Sequence, residues 1–120
     1  MSNELSSRDS KYPDGVAFIN TFHTPDAEGQ AEVLQSLVQI TQDIIRHQPG
    51  FISATLHQSL DGKTVTNIAR WRSPLDLQNA LKTPGMLAHR EVLGERFPRE
   101  GYLGQVVYTY SYQENETNNG

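Results

Sequence analysis

Cysteine is missing from all 120 residues, which excludes a disulfide frame, a thiolate zinc site, an iron–sulfur cluster and a thiol nucleophile. Positive charge is scarce too. Ten Lys and Arg face fourteen Asp and Glu, for a formal charge of -4, and no cations run together. Such a chain offers no electrostatic footprint to phosphate backbones or anionic lipid, so neither nucleic acid nor a membrane is an expected partner. Eighteen apolar residues never stand in a row, and the amino terminus lacks the basic and apolar regions of a signal peptide; a cytoplasmic protein is expected. GxGxxG, P-loop and GxSxG motifs are absent, and no cluster with metal-ligand spacing stands out. Neither a cofactor nor a metal is therefore expected.

What remains is enough for one domain. Hydrophobic residues make up 36% of the chain, and the polar ones gather at the ends. Residues 1–14 and 114–120 carry almost no apolar pattern and are expected as disordered tails around one domain at 15–113. Within it, residues 15 to 23 are β-branched and aromatic between turn signals and predict a first strand. Thr24-Pro25 predicts an N-cap followed by proline, and the stripe Ala27, Ala31, Leu34, Leu37, Val38, Thr41, Ile44 and Ile45 predicts a helix that stops at Pro49-Gly50. Residues 51 to 59 and 63 to 72 flank Leu60-Asp61-Gly62 and read as a hairpin. Ser73-Pro74 and Thr83-Pro84 open two short helices or one broken helix, and residues 102 to 112 read as a fourth strand.

The order β-α-β-β-α-β specifies an α+β, ferredoxin-like fold: a four-stranded antiparallel sheet with helices on one face. The other face should then be polar. Yet both alternation classes hold large apolar groups: Val16, Phe18 and Phe22 on one, Ala17 and Ile19 on the other. A homodimer joined sheet to sheet is expected to cover the second face. Tyr108, Tyr110 and Tyr112 suit packing in that sheet or dimer.

Asn20, Asn67 and Trp71 are the unusual entries of this pattern. Asparagine is depleted in strands, and here one falls in each of the two strands that the topology makes central neighbours. Asn67 and Trp71 are four apart and leave the same face, so they share either a site or a satisfied polar core. The place of His57 depends on the turn. A two-residue Asp61-Gly62 loop sets His57 opposite Thr66 and away from Asn67, whereas a three-residue loop with Gly62 as a left-handed bulge brings it to the face of Asn67 and Trp71. The bulge is favoured, because Leu60 is poorly suited to a positive dihedral, and it makes His57 a candidate proton acceptor. Arg90 could close over an anionic ligand or remain a solvated helix charge.

The stretches FINTF, PGFISATLHQSLDGKTVTNIARWRS and MLAHREVL, in that order and spacing, resemble the antibiotic biosynthesis monooxygenase family from residue 15 to about 112. The resemblance implies a dimeric α/β barrel and a cofactor-free oxygenase that turns phenolic, hydroquinone-like or polycyclic anthrone-like compounds into quinones with O2. It implies catalytic positions at Asn67, Trp71, Asn20 and His57, and substrate-binding positions at Arg90, Leu77 and Phe18. Leu77 stands where such oxygenases can carry a tyrosine, which implies a different or smaller substrate. Haem-degrading relatives need a histidine soon after the tryptophan, and none occurs between Leu75 and Leu81. The alternative function is a non-catalytic dimeric protein of the same fold that binds a small molecule or serves in stress.

Overall fold

The computed structural model describes residues 11–112; most of the expected first tail and all of the last lie outside them. Four strands form one antiparallel sheet: β1 (Val16–His23), β2 (Phe51–Gln58), β3 (Thr64–Trp71) and β4 (Arg99–Gln105), in the order β2-β3-β1-β4. Three helices, α1 (Ala27–Asp43), α2 (Pro74–Leu81) and α3 (Pro84–Arg96), and a 3-10 turn (Ile45–His47) complete the ferredoxin-like α+β fold that the strand and helix signals specify.

Local chemistry sets the helix ends. Ser73 caps α2, its Oγ accepting from Asp76 N at 3.2 Å, and Pro74 opens the helix as the sequence predicts. Arg72 holds the Asp76 carboxylate through two bonds of 2.8 and 3.0 Å, which pulls the Asp76 pKa down. At α1 the cap is Asp26 rather than Thr24: Asp26 Oδ1 accepts from Gly29 N at 2.9 Å, while Thr24 is buried and donates its hydroxyl to the Gly62 carbonyl. The stripe shifts accordingly. Val33 and Gln30 are buried and Val38 is exposed, because Gln30 Nε2 donates to the carbonyls of Ser59 and Thr64, 3.0 Å each, and clamps the hairpin against α1.

Two further departures matter for the site. Strand β4 begins at Arg99 instead of residue 102 and ends at Gln105 instead of 112. Its partner decides this: β1 pairs from Val16 to Phe22 with Gln105 to Arg99, one further bond joins Val106 N to Gly15 O, and Gly15 at φ +83° then turns β1 out of the sheet. Residues 107–112 have no strand left beside them.

The hairpin loop is longer than either length weighed from the sequence. Gly62 is left-handed (φ +79°) and Gly62 N bonds Ser59 O, as a type I turn with a glycine bulge requires. But Ser59 Oγ also accepts from the amides of Lys63 and Thr64, and Asp61 Oδ1 accepts from Lys63 N at 3.0 Å. These side chains capture Lys63 for the loop, so Ser59 faces Thr64 and His57 faces Thr66.

Packing under the helices divides into two clusters. One joins Val16, Ala69, Trp71, Leu77, Ala80 and Met86 with Ile45; Tyr12 and Phe51 pack on it, Phe51 edge-on to Trp71 with centroids 5.4 Å apart. The other joins Phe22, Val33, Leu37, Val65, Leu93 and Phe97. Between them, on the same sheet face, stand the two strand asparagines.

Candidate active site

Residues paired across an antiparallel sheet share a face. Asn20 of β1 stands directly opposite Asn67 of β3, and Trp71 lies one register step beyond Ala69 on the same side, opposite Val16. The seam between the two clusters opens into a cavity lined by Phe18, Asn20 and Phe22 from β1, Asn67, Ala69 and Trp71 from β3, and Leu77, Ala80 and Leu81 from α2. Leu37 and Ile40 of α1, Ile45, Met86, His89, Arg90 and Leu93 of α3, and Arg99 of β4 close it. The volume open to the centre of a water-sized sphere is about 50 Å³, within about 560 Å³ of space between the lining atoms and out to the mouth.

Most of the walls are aliphatic and aromatic, and Asn20, Asn67, His89, Arg90 and Arg99 are the polar residues among them. Trp71 is 2% exposed, and its indole Nε1–H is buried without a hydrogen-bond partner; the same holds for Asn67 Oδ1. A buried polar atom left unpaired costs about 1–3 kcal/mol, and most such atoms in folded proteins find partners. Here a residue with a free donor and a residue with a free acceptor line one cavity. Together they suit a ligand that carries both an O–H and a carbonyl-like or anionic oxygen.

Gly101 makes room for Asn20. It faces Asn20 across the β1–β4 pairing, and a Cβ at Gly101 would overlap both Asn20 Oδ1 and the Ile19 carbonyl.

Both residues of the His89-Arg90 pair reach the cavity, although neighbours on a helix cannot both point straight at a sheet. Met86, His89, Arg90 and Leu93 are spaced i, i+3, i+4, i+7, so the pair straddles the inward stripe of α3. That spacing is the signal by which His89 could have been found from sequence. Burial first, then the charges of Arg90 and Arg99, push the His89 pKa below its ordinary value, which favours the neutral imidazole, the form that can accept a proton. Burial and then Arg99 lower that of Arg90. Arg90 lies over the Phe18 ring and Arg99 over the Phe22 ring, each 5.9 Å from the centroid.

Of the residues expected at the site, Asn20, Asn67, Trp71, Phe18, Leu77 and Arg90 line this one cavity. His57 does not. The four-residue loop puts it opposite Thr66, exposed, on the sheet face away from the helices. Sequence reasoning missed His89 as a cavity residue and Arg99 altogether, the latter because β4 was expected to start three residues later. Among the described residues no group of three or more His, Asp and Glu side chains is placed to hold a metal ion. No described helix is long and apolar enough to cross a membrane.

Comparison with known proteins fits this architecture. The family model for antibiotic biosynthesis monooxygenases matches residues 16–92, and the chain belongs to that family. It is 44% identical over 80 residues to tetracenomycin-F1 monooxygenase of Streptomyces glaucescens, a match covering 67% of this chain and 70% of that protein. The structure is similar to SnoaB, a cofactor-independent oxygenase from Streptomyces nogalater, with TM-score 0.69 and 31% identity over 80% of this chain and 96% of SnoaB. It is also similar to the ActVA-Orf6 monooxygenase of Streptomyces coelicolor, whose structure was solved with nanaomycin D, with TM-score 0.72 and 25% identity over 89% and 98% of the two chains.

Proposed function

We propose that this chain is a cofactor-independent monooxygenase that oxidises a phenolic, hydroquinone-like or anthrone-like aromatic compound with O2. The observation that carries the reading is the unpaired pair of buried polar atoms, Trp71 Nε1–H and Asn67 Oδ1, on residues of a largely apolar cavity that His89 also lines. The relatives of known activity support it. An apolar cleft takes the rings, Asn67 Oδ1 accepts from a phenolic O–H, and His89 removes a proton. The electron-rich anion then reduces O2 itself, a C–O bond forms at the ring carbon, and the O–O bond breaks. Net, a ring CH2 and O2 become C=O and water. The indole N–H donates to the oxygen on which negative charge develops, where a preplaced donor acts most strongly.

Oxygen uptake by metal-free protein with a panel of anthrone-like phenols tests this. Turnover above the buffer rate is expected, with the acid limb of kcat/KM falling below the ordinary histidine pKa of about 6.5, since His89 is the group that must stay neutral. Exchange of His89→Gln should slow the reaction about 10²-fold and abolish that limb, and the rate should recover once pH passes the ionisation of the phenol itself. No turnover with any phenol, alongside tight binding, would favour a non-catalytic binding protein instead.

The oligomer belongs to the same proposal. The sheet face away from the helices carries Ile19, Ile68 and Tyr102 beside the Thr21–Thr66 hydroxyl pair, and Val107, Tyr108, Tyr110 and Tyr112 stand 73–80% exposed just beyond β4. Exposed apolar and aromatic side chains in this number suit a second copy of the chain. Sedimentation at micromolar concentration should show a dimer, and a monodisperse monomer would refute it.

A further inference from the structure

Two residues belong to the cavity and to the outside at once. Ile40 of α1 and His89 of α3 line the cavity, and both also line a separate groove that runs along α1 and meets α3 at His89. The polar residues of that groove, Glu32, Gln35, Ser36, Gln39 and Asp43, are spaced i, i+3, i+4, i+7 and i+11, one face of the helix. Gln35, Gln39 and Asp43 are exposed. About 400 Å³ of the groove is open to the centres of water molecules, against about 50 Å³ in the cavity. Half-buried His89 therefore has water on one side and the cavity on the other.

The charges on the two sides are opposite. Arg90 and Arg99 line the cavity, and after burial their charges are what lower the His89 pKa. Glu32 and Asp43 stand in the groove. Arg96 of α3 holds Glu32 through Nη2 at 3.0 Å, whereas Asp43 accepts from Gln39 Nε2 at 2.8 Å and has no cation partner among the described residues. A proton on the ring is repelled from the cavity side and drawn toward the groove.

We infer that His89 carries protons between the cavity and the water of the α1 groove, so that a proton taken from the substrate exchanges with solvent before O2 reacts. The inference rests on the reading of the cavity as the substrate site with His89 as its base. The overall change, a ring CH2 and O2 to C=O and water, neither releases nor consumes a proton, so whatever the base removes must come back. A base sealed inside the cavity would return the same proton; one that borders water need not. With an anthrone the C–H bond breaks, its electron pair passes through the ring to the carbonyl oxygen, and the proton joins the free imidazole nitrogen. The imidazolium trades its N–H protons with groove water. Without O2 it returns one to the ring carbon, restoring the starting compound with nothing oxidised.

The test accordingly leaves O2 out. A panel of anthrones is incubated anaerobically with the protein in D2O, and the ring CH2 signal is followed by NMR. Deuterium should enter at that carbon faster than in buffer, with the rate falling as pH drops below the ordinary histidine pKa of about 6.5. His89→Gln should slow the entry about 10²-fold, and imidazole added to His89→Ala should restore part of it. Ser36→Phe narrows the groove at a residue that does not line the cavity. It should slow the entry severalfold at unchanged affinity, read from quenching of the single tryptophan, Trp71. No entry above buffer with any anthrone, native-rate entry in His89→Gln, or an unaffected Ser36→Phe would overturn the carrier. If the His89 variants fail to fold, Ser36→Phe and the pH dependence of the unmodified protein decide. The two readings fail separately: deuterium entry without oxygen uptake on any phenol keeps the carrier and removes the oxygenase, whereas uptake by a protein that catalyses no entry does the reverse.

Discussion

Replacement of Trp71 by phenylalanine should cut turnover by about 10²-fold, the usual loss when one preplaced donor to a developing oxyanion is removed, while changing folding stability by less than about 2 kcal/mol. Two effects of opposite sign meet in the stability. The smaller ring leaves a void and loses part of the edge-on contact with Phe51, which costs stability. The same change deletes a buried N–H that has no partner, and removing an unsatisfied donor returns about 1–3 kcal/mol. Under the proposed mechanism turnover has no such offset, because there the indole N–H acts on charge present only during reaction. Kinetics on purified variant and a denaturant midpoint, measured together, separate the cases. A variant that is several kcal/mol less stable yet fully active per folded molecule would make Trp71 a core filler and nothing more.

How far the site was legible in the sequence depends on which physical rule each residue obeys. Asn20, Asn67 and Trp71 follow strand alternation, a strict period of two, and topology alone makes their strands neighbours; the structure sets the two asparagines opposite each other. His57 obeys the same alternation, but its face depends on hairpin register, and one extra loop residue reverses it. That residue, Lys63, is held by side-chain bonds from Ser59 and Asp61 to its amide, a competition with the ladder that turn propensity does not count. Arg99 was out of reach for a related cause: Arg99, Glu100 and Gly101 are poor strand formers that pair because β1 offers unpaired edge groups there. The helices were found and their inward faces in part: Leu37 and Ile45 of the expected stripe are buried and Leu34 and Ile44 pack on the core, but Gln30 is buried as well, for its hydrogen bonds, and His89 and Arg90 of α3 reach the cavity.

The misread residues and the well-read ones together describe one design. The apolar core is cut in two, and the cut holds the two strand asparagines. A sheet built for stability alone would fill positions 20 and 67 with β-branched residues and join the clusters. Retaining a gap with an unpaired donor and acceptor lowers stability, and sites are where folds carry such costs. His89 lines the cavity, whereas His57 lies on the far face.

The same economy of space makes Gly101→Ala a severe change for one methyl group. Gly101 has an ordinary backbone conformation, so the demand for glycine is steric. An added Cβ would meet the carboxamide of Asn20 and the main-chain carbonyl of Ile19 on the central strand. The side chain can turn aside; the carbonyl cannot, being part of the β1 ladder. Strand β4 must therefore move outward, carrying Arg99, two residues away, off Phe22. A stability loss of about 1–3 kcal/mol is expected, in the range for overpacking. Loss of kcat/KM should reach about tenfold or more, as displacements near 1 Å at positioned groups commonly cost. Combination with Asn20→Ala separates the two contacts. If the carboxamide is part of the obstruction, Gly101→Ala should cost less stability in that background than in the native one, with a coupling of about 0.5 kcal/mol or more. Strict additivity would assign the whole clash to the Ile19 carbonyl, and an unchanged Gly101→Ala protein would show that β4 does not fix the position of Asn20.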